Sequence, residues 1–332
     1  MVPPELSGVL ELFTPQAADS GRQKRLQFLV DRADPPQSDL GASRQNPARS
    51  KIVQYFTEAA PQFQAWSPGN HLHFGYASRI GQIFDRESML AEMTRQVLCR
   101  LQLDPTEPAS LLDLGCGLGA SALQVARQHP RFAIDGISLV PAQVAQAADH
   151  AAASGMARRL RFWVDDFTAC RSESGSYDGL YAIESACHDH GLAKEGFVKE
   201  AARLLKGGRR LVVADAFYKG HKPKGGLLEA LCSRVEDHRA LETFGEIGAF
   251  TSALRRHGFT EIRVEEISTR VAASVAHAPV LAARAFLEGL LGQRPLGKAA
   301  TGHLLASLLA PLLGLARTRF GYFLVSARRR RV

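Results

Sequence analysis

A short glycine-rich segment offers the clearest chemistry in this sequence. Residues 111–119 read LLDLGCGLG, and this segment places Gly115, Gly117 and Gly119 directly after a short apolar run. Glycine is favoured where the chain turns sharply and a ligand approaches the backbone closely. With Ala120 included, the same letters also satisfy a relaxed dinucleotide fingerprint, G-x-G-x-x-A, so the glycines alone leave the nucleotide open.

The acidic residue ahead of these glycines favours one kind of nucleotide over the other. Asp113 lies two residues before Gly115, where its carboxylate can face the ammonium group of a ligand. A dinucleotide loop has no such need, because its helix N-terminus meets an anionic pyrophosphate. A turn-capping role is the plainer alternative for Asp113, and we expect the ligand role.

The residues around this segment alternate between patterns typical of strands and of helices. This alternation continues from residue 110 to residue 218 and is typical of βαβ units in a doubly wound parallel sheet. Two further strands, over residues 259–268 and 319–327, flank a mostly helical insertion. We therefore expect an α/β fold: a Rossmann-like, doubly wound, seven-stranded sheet with a helical N-terminal extension and a helical insertion before the last strand.

Composition divides the chain into four predicted segments. Residues 33–50 are rich in Pro, Ser, Gly and Asp and are typical of a linker, with Ser50 capping a helix that begins at Lys51. Lys206-Gly207-Gly208 predicts a glycine stop for the helix before it. The four segments are the N-terminal extension and linker (1–50), a helical cap that contributes to the substrate pocket (51–105), the nucleotide-binding core (106–268), and the insertion, final strand and basic tail (269–332).

The motif LDLGCGLG resembles the first motif of class I S-adenosylmethionine-dependent methyltransferases, and the similarity extends from about residue 110 to residue 218. The resemblance implies S-adenosylmethionine as the methyl donor and S-adenosylhomocysteine as the product. It also implies that the donor is bound by Asp113, Gly115, Gly117 and Gly119. A catalytically silent S-adenosylmethionine-binding fold, acting as a cyclase or regulatory module, and an NAD-dependent oxidoreductase are the alternatives from other classes.

The end of the second predicted strand departs from the common pattern of that family. Many class I methyltransferases hold the ribose diol with an acid at the position of Ser138. Here the segment DGISLVPAQ resembles the Gly-Ile-Thr/Ser-Leu-Ser-Pro-x-Gln segment of tocopherol, sterol and cyclopropane-forming methyltransferases. The resemblance implies that Ser138, Leu139 and Gln143 line the ribose or adenine pocket, whereas a solvated helix turn is the plainer alternative for Gln143.

Two acids follow the third predicted strand, where the family usually meets the adenine amino group. We expect Asp165 to take this role, with Asp166 as the alternative if the register differs by one residue. A solvated loop edge would also account for two adjacent acids.

The segment after the fourth predicted strand, YAIESACH, closely resembles a segment of sterol C24-methyltransferases, and related Glu-Ser segments occur in tocopherol and terpenoid-diphosphate methyltransferases. Glu184 and His188 are therefore candidate catalytic residues, and Glu184 is also a candidate donor contact. The earlier segment HLHFGY is a looser match to the same group. It makes Tyr76 a third catalytic candidate, for which a core position is equally open.

These residue types suit two routes of methyl transfer. If an alkene carbon attacks, aromatic faces and a carboxylate can stabilise the carbocation, and Glu184 or His188 can then remove a proton. O-methylation needs only a group that takes the hydroxyl proton, for which His188 or His190 is suitable. C-methylation of a lipophilic terpenoid-like molecule, free or as a diphosphate, is the leading hypothesis. O- or N-methylation of a polyketide, sugar or alkaloid is the alternative.

The rest of the sequence bears on partners and location. The leucine- and alanine-rich region of residues 272–316 predicts helices that roof an apolar cavity, which favours a lipophilic small substrate. A basic group just after the fifth strand offers either contacts for an acceptor diphosphate or a solvated face: Lys219, His221, Lys222 and Lys224. The spacing of His188 and His190 suits one helix face poorly, so we expect no metal site.

The formal charge of +8 is concentrated at one end, because without the four arginines of residues 328–331 it would be +4. No basic stripe interleaved with aromatics suggests nucleic-acid binding. We keep open a peripheral membrane contact through the C-terminal helix and arginine tail, and a homo-oligomer. Scattered cysteines and a first segment unlike a signal peptide predict a cytoplasmic location.

Overall fold

The computed structural model describes residues 47–60, 67–291 and 298–331. Its sheet has the strand order β3-β2-β1-β4-β5-β8-β7, with the short β6 paired to β5. All neighbours are parallel except β8, which runs antiparallel to both β5 and β7. The strands are β1 Ala109–Leu114, β2 Phe132–Ser138, β3 Leu160–Val164, β4 Tyr177–Ile183, β5 Leu205–Tyr218, β6 Gly245–Glu246, β7 Phe259–Glu266 and β8 Phe320–Arg329.

Helices connect the strands and add to both ends of the chain. Ile80–Phe84 and Ala186–His188 form short 3₁₀ turns. The α-helices are α1 Pro47–Glu58, α2 Arg86–Leu101, α3 Ala120–Gln128, α4 Pro141–Ala153, α5 Glu195–Leu204, α6 Gly226–His238, α7 Ile247–Arg256, α8 Ser268–Leu290 and α9 Lys298–Leu315.

The predicted fold class is confirmed, with one strand more than expected. The two residues of β6 pair with the end of β5 and make the sheet eight-stranded. A strand this short carries no periodic signal in the sequence, which is why it was not predicted. The predicted division into four segments stays a prediction, and residues 1–46 of its first segment lie outside the described residues.

Two predicted helix boundaries are wrong. Helix α1 already includes Pro47, the first described residue of this range, so Ser50 lies inside the helix and does not cap it. The helix before Lys206 ends at Leu204 without a glycine stop. Leu205 is already extended and pairs with Tyr177 of β4, so the segment around Lys206 belongs to the start of β5.

The sheet is buried on both faces, as parallel strands covered by helices usually are. Along β1, Leu111 packs into the hydrophobic cluster on one face and Leu112 into the cluster on the other. Polar side chains lie instead at the carboxyl ends of β1, β2, β4 and β5. Ligands bind at this edge in sheets of this kind.

Helices α6, α8 and α9 close over that edge. Ala282 and Ala285 of α8 pack against Leu304 of α9, and Gly302 near the start of α9 lies against His238 at the end of α6. Within the described residues, the stretch Ser268–Glu288 is long and apolar enough to cross a membrane by length and composition, and 22% of its most apolar window is buried.

The arginine tail lies far from these helices. Strand β8 extends to Arg329, and Arg328 donates to the Gly208 carbonyl and to Glu261. Arg329 donates to the His257 carbonyl. Because α9 precedes β8 and the tail ends it, the two are separated by the strand length, roughly 30 Å at about 3.3 Å per residue. The predicted peripheral membrane contact through the C-terminal helix and the arginine tail stays a prediction.

Candidate functional site

The predicted donor residues converge at the carboxyl edge of the sheet. Asp113 lies between Gly136 of β2 and Tyr181 of β4 in the strand register. Ser138 ends β2, and Glu184 follows β4 directly. Parallel pairing therefore brings together side chains that are 25 to 71 positions apart in the sequence.

The glycine loop turns from β1 into α3 through left-handed backbone. Gly115, Gly117 and Gly119 have φ angles of 104°, 51° and 78°. Added Cβ atoms there would meet protein side chains: that of Ser185 at 2.3 Å, of Leu72 at 2.9 Å and of Ala147 at 2.9 Å, respectively. Glycine at these three positions therefore permits both the left-handed backbone of the turn and the close approach of the neighbouring side chains.

Asp113 is a buried carboxylate, 3% exposed, with no ion pair to any cation among the described residues. Burial raises its pKa to about 7, and the adjacent Tyr181 hydroxyl offsets part of this shift. A charge held in an apolar surrounding without a partner is costly. The ammonium group of the expected donor is the kind of partner that would offset this cost, so the site fits S-adenosylmethionine.

Ser138 and Gln143 hold the next strand end together. The Ser138 hydroxyl donates to Gln143 Oε1 over 3.0 Å and accepts from the Val140 amide over 3.2 Å. Gln143 is buried, so the solvated-turn alternative is wrong. Leu139 packs against the cluster of Ile52, Tyr55 and Ala59 from α1.

Asp165 and Asp166 are both buried and both engaged by the protein. Asp165 forms an ion pair with Arg171 and accepts from the Asp166 amide and the Trp163 ring. Asp166 pairs with Arg49 Nε at 2.5 Å and accepts from Thr168. Neither is a solvated loop edge, and their choice as the adenine contact stays a prediction.

A cavity of about 410 Å³ adjoins the donor residues. Its walls come from α1, the segment of residues 72–74, the ends of β4 and β5, and helices α6, α8 and α9, as predicted for the insertion. Most lining side chains are apolar, and they include Phe56, Phe74, Val235, Phe244, Val271 and Leu313.

Glu184 stands between the donor residues and this cavity. It has a positive φ of 51°, a backbone conformation that costs a non-glycine residue about 1–3 kcal/mol. Its Oε1 accepts from the Phe74 amide at 2.6 Å and from the Tyr322 hydroxyl at 3.0 Å. Its Oε2 lies 3.6 Å from Arg239. One carboxylate thus joins four parts of the chain.

His188 presents an unpaired imidazole in the cavity. Its Nδ1 is buried and has no hydrogen-bond partner among the described residues. Burial lowers the pKa of His188 to about 3, with Lys194 and Arg239 adding to the shift. The ring is therefore neutral at pH 7 and packs edge-on against Phe56 at 5.4 Å.

Asp215 and Arg239 are cavity residues that the sequence did not single out. Asp215, in β5, accepts from the Cys187 and Ala216 amides, and burial, together with Glu184, raises its pKa to about 7. Arg239 follows α6 and lies 5.5 Å from the Phe74 ring centre. Asp215 could have been identified from the sequence, because it is an acid near the carboxyl end of a predicted parallel strand. No local sequence pattern identifies Arg239.

Other predicted residues lie away from the cavity. Tyr76 does not line it, and its ring lies 6.0 Å from the Arg270 guanidinium. The preceding Gly75 amide donates to Ser274 of α8. His190 pairs with Glu242 at the surface. No group of three metal-ligating side chains occurs in the described ranges.

The basic group after β5 is largely neutralised. Lys219 pairs with Glu266 at 2.6 Å, and Lys222 pairs with Glu236 at 2.8 Å. These ion pairs neutralise Lys219 and Lys222, whereas Lys224 is exposed and forms no ion pair among the described residues.

Lys194 fixes the turn that carries His188. It is fully buried, and its ammonium donates to the carbonyls of Cys187, Asp189 and Thr243 at 2.8–3.0 Å. Three carbonyls on one cation hold the 3₁₀ turn against the segment that follows α6.

Comparisons with known proteins agree with this geometry. Residues 111–208 match the methyltransferase domain family. Norajmaline N-methyltransferase from Rauvolfia serpentina is 26% identical over 66% of this chain and 75% of its own length. The chloroplastic tocopherol O-methyltransferase of Arabidopsis thaliana is 28% identical over 68% of this chain and 67% of its own length. The crystal structure of the [4+2]-cyclase SpnF is 25% identical, covers 85% of this chain and 96% of its own, and superposes with a TM-score of 0.69.

We expect Asp113→Asn to weaken S-adenosylhomocysteine binding by about ten- to a hundredfold, the value of a lost charge-assisted hydrogen bond. Titration calorimetry measures this loss.

A folded-state pKa of about 7, above the unfolded value of 3.8, means that the Asp113 contribution to stability falls as pH rises from about 4 to 7.

The ligand-free D113N protein should therefore melt at the same or a higher temperature than the parent at pH 8. A variant that melts lower there while keeping full S-adenosylhomocysteine affinity would assign Asp113 to the fold alone.

We expect Lys194→Met to lower the free energy of unfolding by about 2–4 kcal/mol, because buried carbonyls lose their donor. Urea unfolding measures the change. Lys199→Met, on the exposed side of helix α5, which follows Lys194, is the matched control and should stay within about 0.5 kcal/mol of the parent. Equal stability of both variants would contradict the role of Lys194.

Proposed function

We propose that this chain, which belongs to the class I S-adenosylmethionine-dependent methyltransferases, methylates a hydroxyl oxygen on a lipophilic small molecule. The observation that carries the proposal is the neutral, unpaired imidazole of His188 in an apolar cavity that also holds Asp215 and Arg239.

S-adenosylmethionine supplies an electrophilic methyl group when bound. We assign the amino group of S-adenosylmethionine to Asp113. The loop of Gly115, Gly117 and Gly119 is the proposed backbone contact for the bound donor, with Glu184 beside it. Ser138, Leu139 and Gln143 are the proposed ribose and adenine wall, and the adenine amino group is assigned to Asp165, with Asp166 as the alternative.

The apolar walls select and hold the acceptor. Each side chain of the size of Phe or Leu that a ligand covers contributes about 1.5–3 kcal/mol through removal of apolar surface from water. A few polar groups inside such walls then fix the orientation of the bound molecule. Positioning of this kind supplies much of the rate when the donor needs little activation.

The polar groups suit the removal of a hydroxyl proton. Neutral His188 donates the N–H of its imidazole to the hydroxyl oxygen and orients it, which leaves the hydroxyl proton free to point toward Asp215. Asp215, whose pKa of about 7 is near that of an effective base at neutral pH, takes the proton. The Arg239 guanidinium stabilises the negative charge that develops on the oxygen. Lys194 acts through His188 by holding its turn.

Arg239 also weighs against a carbocation in this cavity. Like charges about 4 Å apart repel by about 4 kcal/mol at the effective dielectric constant of a protein surface. The guanidinium and Glu184 largely cancel each other, so little negative charge remains to stabilise a cation. The relative named as a tocopherol O-methyltransferase supports oxygen as the acceptor atom.

Carbon methylation of a terpenoid-like acceptor is the second candidate. Phe74 and Tyr322 line the same cavity as Glu184, and aromatic side chains together with a carboxylate favour a cationic intermediate. Relatives named as N-methyltransferases support nitrogen as the acceptor atom equally well, so the choice of oxygen rests on the polar groups of the cavity.

We expect methyl-labelled donor to label oxygen when the enzyme is incubated with a panel of lipophilic phenols, alcohols, amines and isoprenoids. Mass spectrometry with chemical demethylation identifies the labelled atom. Label on carbon would overturn the proposal in favour of the second candidate.

We expect kcat/KM to rise with pH through about 7 and then level off, because Asp215 must be ionised to accept a proton. In Asp215→Asn the rate should fall by about 10²–10⁴-fold and this rise should disappear. Asp237→Asn, on the exposed part of α6, is a matched control that should keep the profile of the parent. An unchanged pH profile in D215N would exclude Asp215 as the base.

A further inference from the structure

Nearly all exposed large apolar side chains of the described residues lie on four elements, of which helix α9 packs against both α6 and α8. Of the eleven large hydrophobic side chains that are exposed in the described residues, ten lie on or next to the 3₁₀ turn Ile80–Phe84, α6, α8 and α9. We call this set the cap face. The remaining one, Val264, lies on β7. Single exposed leucines are ordinary in soluble proteins, but a concentration of them on helices that pack against one another indicates a binding surface.

The cavity reaches the surface within this face. Leu315 and Arg317 are among its lining residues, and both are exposed. Leu315 is 78% exposed, and Leu312, one turn earlier on α9, is 48% exposed. An apolar cavity therefore opens between exposed leucines rather than between charged side chains alone.

The start of α6 lies next to this opening. Helices α6 and α9 run antiparallel, so Leu228 shares a hydrophobic cluster with Leu313 and Phe320. Its neighbour Leu227 is 87% exposed. We call Leu227, Leu312 and Leu315 the mouth leucines.

Basic side chains accompany the mouth leucines. Lys224, Arg317 and Arg319 are exposed, and none of them forms an ion pair within the described part of the chain. Lys219 and Lys222, in contrast, are paired with Glu266 and Glu236. Exposed apolar groups flanked by unpaired cations are typical of surfaces that lie in the interface of an anionic bilayer.

We propose that the cap face docks on an anionic lipid bilayer through the mouth leucines, with Lys224, Arg317 and Arg319 contacting lipid phosphates. The acceptor cavity then opens toward the bilayer and takes up its lipophilic substrate without transfer through water. This docking is independent of which acceptor atom is methylated.

A second copy of the chain is a less suitable occupant of this face. In a two-fold symmetric dimer the same patch meets itself, so the three unpaired cations of one copy would approach those of the other. Like charges placed opposite one another at an interface are destabilising. Lipid phosphates have the complementary charge.

Sedimentation with vesicles of phosphatidylcholine, with and without phosphatidylglycerol, tests the proposal on the full chain. We expect binding to the vesicles that contain phosphatidylglycerol, and weaker binding as salt is raised. The double variant Leu227→Ser/Leu315→Ser should lose about tenfold or more in vesicle affinity through the loss of two inserted side chains.

Val264→Ser, which removes an exposed side chain outside the cap face, is the matched control and should bind as the parent does. Unchanged melting temperature and S-adenosylhomocysteine affinity show that the variants are folded. Absence of parent binding, equal binding by the double variant, or a dimer that the double variant dissociates without any vesicle binding would each overturn the proposal. None of these outcomes bears on oxygen methylation.

Discussion

The carboxylate of Glu184 is the interaction on which the site depends. Its backbone is held in a left-handed conformation that costs about 1–3 kcal/mol, and the surrounding contacts must offset this cost. The Phe74 amide, the Tyr322 hydroxyl and Arg239 supply those contacts from three separate elements. The segment over the donor residues, the antiparallel strand β8 and the end of α6 are thus anchored at one point. Because Phe74, Tyr322 and Arg239 all line the cavity, their contacts with Glu184 hold its walls in place.

Burial determines the protonation states around the anchor. Asp113 and Asp215 both have a pKa raised to about 7, one beside the glycine loop and one in the cavity. His188 is kept neutral by the same cause, with its pKa lowered to about 3. A carboxylate that lacks a cation suits the ammonium group of the donor. A carboxylate that titrates near neutral pH suits proton transfer. Burial in apolar surroundings therefore suits Asp113 to bind the ammonium group of the donor and suits Asp215 to accept a proton from the acceptor.

The donor side was predictable from the sequence, whereas the acceptor side was predictable only in part. Asp113 lies near the end of β1, Ser138 ends β2 and Glu184 follows β4, and these three strands are neighbours in the sheet. Parallel pairing therefore fixes their convergence once the alternation is recognised. Arg239 and Tyr322 reach the cavity through the packing of α6 and the antiparallel placement of β8, for which no local pattern exists. Leu72 and Phe74 of the segment HLHFGY line the cavity, whereas Tyr76 does not. The place of Gly75 between them depends on contacts with α2 and α8.

A crystal structure with bound S-adenosylhomocysteine tests the central claim most directly, namely that Asp113 fixes the donor and that Glu184 joins it to the acceptor cavity. The account predicts the ligand ammonium within hydrogen-bond distance of Asp113 and the ligand sulfur facing the cavity beside Glu184. A ligand in the second cleft, of about 500 Å³ between α3 and α4 and lined by Gln124 and Arg127, with Asp113 left without a contact, would contradict it.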